Sequence, residues 1–187
     1  MVNIALVGCN GKMGKAVTSA VQSRNDCEIV FGADPFGTPA YDYPVFESLA
    51  VSDKKADVII DFSNPASLDD ILAYALEKKI PCVLCTTGYS PEQVEKIKKA
   101  SESVAVFYSG NMSLGINLLI ELSKEAAKIL GAADFDIEIV EKHHNQKIDA
   151  PSGTALMIAD GISDTLAEEP QYVYDRHSYR KKRSKNE

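Results

Sequence analysis

Short apolar runs alternate with amphipathic stretches along the first part of the chain. Val2 to Val7 is an apolar run of strand length, and Ala16, Val17, Ala20 and Val21 then recur at helical spacing. Glu28 to Ala33 reads as a second strand. Asp57 to Phe62 is another, followed by Asn64-Pro65, which caps and starts a helix running to about Lys79. Cys82 to Cys85 reads as a short strand. Ser90-Pro91-Glu92-Gln93 has the spacing of a capping box, and Val104 to Tyr108 is a further strand. Strands alternating with helices predict an α/β fold, a doubly wound parallel sheet of Rossmann type, over residues 1–112. Farther on, Phe135 to Glu141 alternates apolar and polar residues as a one-sided strand does. After Pro151, the positions Ala155, Leu156, Ile158, Ala159, Ile162 and Leu166 follow a helix that Ser152 or Thr154 could cap. Residues 113–187 are therefore expected to form a second, smaller α+β domain.

The first strand runs directly into Gly8-Cys9-Asn10-Gly11-Lys12-Met13-Gly14. Strand, glycine turn and helix in that order suit a dinucleotide. Gly8 permits the turn, Gly11 admits a pyrophosphate, Gly14 lets the helix sit close, and the helix start favours negative charge. The spacing is G-x-x-G-x-x-G rather than the commoner G-x-G-x-x-G. Asp34 ends the second strand 20 residues beyond Gly14, where an acidic group would meet the ribose hydroxyls of NAD. The plainer reading of Asp34 is a turn residue. No arginine follows it to meet a 2′-phosphate, which favours NADH over NADPH, although Lys12 could reach such a phosphate. The remaining strand ends carry Asp61–Ser63, Thr86–Gly88 and Ser109–Met112, small and polar groups of the kind a cofactor needs.

The segment Glu141 to Ala155 holds most of the candidate chemistry. His143, His144 and Lys147 lie within a few residues of each other, and Pro151-Ser152-Gly153-Thr154 opens a helix just after. Proton-transfer groups thus adjoin backbone N–H donors suited to an anion. The plain alternative is a surface histidine pair before an ordinary capped helix. Zinc is disfavoured, because His177 is the only other histidine and the cysteines lie far upstream.

Composition sharpens this only at a few points. A hydrophobic fraction of 45% is ordinary for a globular protein, and a net charge of −7 argues against general nucleic-acid binding. An anionic substrate must then be attracted locally. No run is apolar enough to span a membrane and Met1-Val-Asn-Ile lacks a basic leader, so a cytoplasmic location is expected. Cys82 and Cys85 fall on a strand and read as buried and reduced. Cys9, near helix N–H groups, is a candidate for a lowered thiol pKa. The basic run Arg180 to Lys185 reads as a solvated surface segment.

Taken together, Val7–Gly14, Asp61-Phe62-Ser63, Thr86-Thr87-Gly88, Asn111–Asn117 and Glu141–Ala155 resemble the 4-hydroxy-tetrahydrodipicolinate reductase (dihydrodipicolinate reductase) family. The resemblance runs in order from residue 2 to about 170, and its Glu141–Ala155 part is specific to that family. It implies reduction of a cyclic dicarboxylate imine by NADH or NADPH in lysine and diaminopimelate biosynthesis. It assigns acid/base catalysis to His143 and proton donation to Lys147, and leaves open which gives the final proton. By the same resemblance His144, Ser152, Gly153 and Thr154 hold the substrate carboxylates. Gly8, Cys9, Asn10, Gly11, Lys12, Met13, Asp34, Cys85, Thr86, Thr87, Ser109, Gly110, Asn111 and Met112 contact the cofactor. Family members form homotetramers and continue well beyond this point, so an under-built sheet is expected in the second domain. The competing readings are another Rossmann dehydrogenase, of the aspartate or homoserine type, and a nucleotide-binding module without catalysis.

Overall fold

The computed structural model describes residues 1–36, 41–145, 147, 150–174, 176–178, 180–184 and 187, with the Arg176 side chain left aside. The chain folds as two compact units, Met1–Gly110 and Asn111–Glu187.

In the first unit the apolar runs pair into one six-stranded sheet. Its strands are β1 (Val2–Val7), β2 (Cys27–Ala33), β3 (Val45–Phe46), β4 (Val58–Asp61), β5 (Cys82–Leu84) and β6 (Val106–Tyr108). All neighbours are parallel, in the order β3-β2-β1-β4-β5-β6. The expected α/β class is therefore observed, with strand ends within a residue or two of those read from the pattern. The two-residue edge strand β3 is an addition, too short to leave a periodic signal.

Three helices cover the sheet: α1 (Lys12–Gln22), α2 (Leu68–Lys78) and α3 (Pro91–Ser101). Successive residues of a strand point to opposite faces, and β1 shows how the layers divide. Ile4 and Leu6 pack with Val17 and Val21 of α1. Ala5 and Val7 join Phe31, Ile59, Leu68, Ile71, Leu84 and Ile97, the side covered by α2 and α3. Both faces of β1 are buried, which is why its sequence is a continuous apolar run rather than an alternation. The helix termini follow local rules. Ser90 and Gln93 form a complete capping box on α3, and Lys79 closes α2 in the left-handed region with φ of 56°.

The second unit contains two long helices, α4 (Leu114–Gly131) and α5 (Gly153–Ser163). Glycines let them approach. A Cβ at Gly161 would lie 3.0 Å from Ile120 Cγ2, and one at Gly131 would lie 2.9 Å from Leu166 Cδ2. Ser113 and Ser152 cap α4 and α5 through the N–H groups of Ile116 and Ala155. Much apolar surface of α4 faces solvent, including Leu114, Leu118, Leu122 and Ile129.

Two expectations need correction here. Phe135 to Glu141 is not a strand: no described residue of this unit lies in a ladder, and Phe135 and Val140 are exposed. Alternation specifies which residues share a face, but a strand also needs a neighbour to take its N–H and C=O groups. The basic run is not wholly solvated either. Arg183 pairs with Asp136 at 3.3 Å and with Glu138, leaving its side chain 22% exposed. Lys185, at the end of that run, lies outside the described residues.

The packing of unit 1 gives a direct stability test. Ile71 is 1% exposed, so Ile71→Ala should lower the unfolding free energy by about 2–5 kcal/mol. Ser90→Ala, which removes only the cap, should lower it by about 1 kcal/mol. Urea unfolding checks both, and equal losses would contradict this division between core and cap.

Candidate active site

The carboxyl ends of the strands converge on the glycine turn after β1. Gly8 has a φ of 75°, and a Cβ there would lie 2.5 Å from the Phe62 carbonyl oxygen at the end of β4. A Cβ at Gly14 would fall 2.3 Å from the Gly8 carbonyl oxygen and 2.5 Å from Cys9 Cα. Main chain therefore packs directly on main chain, and no larger residue fits at either position. Helices α3, α4 and α5 each begin with a serine cap, whereas α1 begins at Gly11 with no side-chain cap and no acidic residue in its first turn. A helix start left open in this way suits a phosphate.

Asp34 is held beside this turn. One carboxylate oxygen accepts the Asn10 N–H at 3.0 Å and the other accepts the Phe36 N–H at 2.9 Å, while the Asn10 amide donates to the Phe36 carbonyl. Each oxygen keeps acceptor capacity for a sugar hydroxyl. Glycine cradle, open helix start and anchored acid together fit a dinucleotide. Lys12 and Met13 are exposed at the start of α1; Thr87, Gly110 and Met112 are exposed at the other strand ends.

Cys9 differs from its sequence reading. It is fully buried, and burial followed by the nearby Asp34 charge pushes its thiol up to about 11. The helix N–H effect is outweighed by loss of solvent, so Cys9 stays protonated near neutral pH. Burial, then Asp61, pushes Cys82 and Cys85 up to about 11 as well. All four cysteines are free thiols; Cys82 is buried and Cys85 only half-buried.

Sequence reasoning places Asp61 only among the polar groups at the strand ends and assigns no role to Tyr89. Asp61 is fully buried at the end of β4. One of its oxygens accepts the Ser63 N–H at 2.9 Å and the Ser63 hydroxyl at 2.5 Å, and the other accepts the Tyr89 hydroxyl at 3.1 Å. Burial, then Asp61, holds the Tyr89 phenol above its ordinary range. Asp61-Phe62-Ser63 stands out as a motif, but nothing in it points to a tyrosine 28 residues away.

In the second unit Glu141 organises the candidate catalytic segment. Its carboxylate accepts the Ser152 N–H at 2.8 Å, and His143 Nδ1 lies 3.4 Å from its other oxygen. Contacts from Ser152 hold the Glu141 carboxyl below its ordinary range, with smaller contributions from His143 and Lys147. His143 and the start of α5 thus both meet one acid. The Lys147 N–H donates to the His144 carbonyl at 3.2 Å, forming the turn between them. Asn111 donates from its amide to the Thr154 hydroxyl at 3.3 Å. Gly153 is exposed, and a Cβ there would have no neighbour within 4 Å. Gln146, Ile148 and Asp149 of this segment lie outside the described residues. Among the described residues, no group of three or more His, Cys, Asp or Glu is placed to share a metal ion.

Comparison with known proteins decides the kinship. Residues 2–112 match the family described as "Dihydrodipicolinate reductase, N-terminus", and residues 115–187 match its C-terminus. The chain belongs to the dihydrodipicolinate reductase family. Over all 187 residues it is 51% identical to the 4-hydroxy-tetrahydrodipicolinate reductase of Clostridium tetani, spanning 72% of that protein. The corresponding identity to the Caldanaerobacter subterraneus reductase is 48%, spanning 73% of it. A dipicolinate-bound dihydrodipicolinate reductase from Paenisporosarcina sp. TG-14 superposes with a TM-score of 0.70 at 28% identity, covering 94% of this chain and 70% of that one. Membership in this family sets aside the aspartate and homoserine dehydrogenase reading.

The lowered Glu141 pKa carries a pH consequence. A depressed acid stabilises the fold above its unfolded value, and that contribution is lost as pH falls through the folded value. Protection of the Ser152 amide from hydrogen exchange should therefore hold down to the ordinary Glu value of 4.5 and disappear below it. An exchange series from about pH 6 to about pH 3 reads this. Protection already lost above that value would show that Glu141 does not hold the turn.

Proposed function

We propose that the protein reduces the dihydrodipicolinate-type cyclic imine to tetrahydrodipicolinate with NAD(P)H, in lysine and diaminopimelate biosynthesis. The observation that carries this reading is the single carboxylate, Glu141, which meets both His143 and the start of α5. The substrate is a small dicarboxylate, as dipicolinate is in the related structure. Its negative groups match the N–H donors at the start of α5 and the cations beside it.

The roles follow from those positions. His144, Ser152, Gly153 and Thr154 hold the substrate carboxylates, with Gly153 leaving the main chain open to an oxygen. Glu141 fixes the orientation of the His143 ring, as a carboxylate beside a histidine nitrogen does. Lys147 delivers a proton to the electron-rich enamine carbon, which lies beta to the ring nitrogen and next to the carbon that takes the hydride, and His143 serves as the acid/base partner. Gly8, Cys9, Asn10, Gly11, Lys12 and Met13 cradle the pyrophosphate, with buried Cys9 contributing through its main chain alone. Asp34 meets the ribose, and Cys85, Thr86, Thr87, Ser109, Gly110, Asn111 and Met112 line the remaining strand ends. When bound, the reduced nicotinamide supplies the hydride.

NADH is preferred over NADPH, because Asp34 already sits as an anion beside the turn and would repel a 2′-phosphate. The enzyme works in the cytoplasm, in keeping with four free thiols. Among the described residues no helix is long and apolar enough to cross a membrane. The exposed apolar residues of α4 favour assembly into a homotetramer over a lone protomer.

Turnover of Lys147→Ala and His143→Ala against pH tests the site. Lys147→Ala should depress kcat by about 10²–10⁴-fold and also raise KM, since its charge binds substrate in the ground state too. His143→Ala should depress kcat and flatten the pH profile. Unchanged rates in both would end the assignment. On the cofactor side, Asp34→Ser should shift the ratio of kcat/KM for NADH over NADPH toward NADPH by about tenfold, the size of one charged hydrogen bond. A parent that already favours NADPH would refute the preference.

A further inference from the structure

The loop between β5 and α3 is anchored at both ends but bare in the middle. At its start the Cys85 N–H donates to the Asp61 carbonyl at 2.9 Å. At its end Ser90 and Gln93 form the capping box, and the Gln93 amide donates to the Pro65 carbonyl at 2.7 Å. Between these anchors Thr87 and Gly88 are exposed, Gly88 has a φ of 82°, and a Cβ on it would touch nothing nearer than 4.0 Å. Thr86 is buried, yet its hydroxyl makes no well-formed hydrogen bond within the described residues.

Tyr89 restrains this middle stretch from three directions. Its hydroxyl donates to the buried Asp61 carboxylate on β4, the strand that pairs with β1. Its ring meets Tyr108, the last residue of β6, edge-on at 5.5 Å. Its own main chain carries the turn. Asp61 in turn holds Ser63 by both N–H and hydroxyl, directly after the Phe62 carbonyl that backs onto Gly8. One acceptor-only side chain therefore joins the loops that end β4 and β5 beside the glycine turn. A carboxylate is costly to bury without donors. A neutral group would suffice if the sole need were to fill space.

We infer that Tyr89, held by the buried Asp61, is a positioning residue that sets the Thr86–Gly88 turn for dinucleotide binding. The inference rests on the reductase reading above, and it assigns neither residue a direct part in the chemistry.

The test uses the full chain, its Tyr89→Phe and Asp61→Asn variants and the double variant. NADH binding is read from nicotinamide fluorescence, beside steady-state kinetics and urea unfolding. Tyr89→Phe keeps the ring and loses only the hydroxyl, so it is the variant expected to fold whatever Asp61→Asn does. In it the Kd and KM for NADH should rise about tenfold, the loss of one hydrogen bond to a charged group, with kcat at saturating NADH little changed. The double variant should bind no more weakly than the weaker single, because the two side chains act through one contact. Tyr89→Phe binding NADH as the parent does, or additive losses in the double variant, would overturn the inference. So would a fall in stability with no change in binding. A parent that binds NADH and turns over substrate keeps the reductase reading intact under any of these results; a parent that fails to bind NADH removes both.

Discussion

The first unit depends on a contact with no side chain in it. The start of α1 rests on the end of β1 through Gly14 and the Gly8 carbonyl, while Gly8 backs onto the Phe62 carbonyl at the end of β4. These approaches are closer than any Cβ permits. They bring the start of α1 to the place where the chain, having added strands on one side of β1, begins to add them on the other. In a parallel sheet that is where the loops diverge and leave a crevice. The main-chain contact thus fixes both the helix start and the floor of that crevice. The start of α1, without the serine cap bond found on α3, α4 and α5, is left open in a way that suits an anion.

Much of this is legible in the residues. Strands β1 and β4 are covered on both faces, so their apolar runs stand out against polar flanks. Ser90–Gln93 announces a helix by its spacing, and the capping box is formed. Asp34 is singled out by its distance from Gly14, and it lies beside the glycine turn, against Asn10. These features depend on local chemistry, which a chain displays without tertiary information.

What is not legible depends on contacts distant in sequence. Helix α4 escapes a periodic reading because Leu114, Ile116, Leu118, Leu119, Ile120 and Leu122 are apolar nearly all round, which blurs a helical period. Phe135–Glu141 has a sound strand alternation, but an alternation cannot supply the neighbour that a ladder needs. The position of Cys9 beside a helix start is visible in the sequence, and its complete burial is not. Asp61 and Tyr89 meet across 28 residues of sequence. The Glu141–Ala155 segment stands out for its histidines and lysine, yet the contact of Glu141 with both His143 and Ser152 is not visible in the sequence.

Asp61 and Glu141 do comparable work in the two units. Each carboxylate joins a near neighbour to a residue farther along the chain: Ser63 and Tyr89 in one case, His143 and Ser152 in the other. A carboxylate suits this because it offers about four acceptor sites and competes with none of its partners for a proton. Their settings differ in consequence. Asp61 is fully buried, so its bonds are poorly screened and hold the ends of β4 and β5 as a rigid unit. Glu141 is only half-buried and lies 3.4 Å from His143, so its hold on that ring is better screened by solvent and weaker. The proposed roles match that difference: a hydride-transfer enzyme needs rigidity where its cofactor is placed and a more yielding acid where protons move.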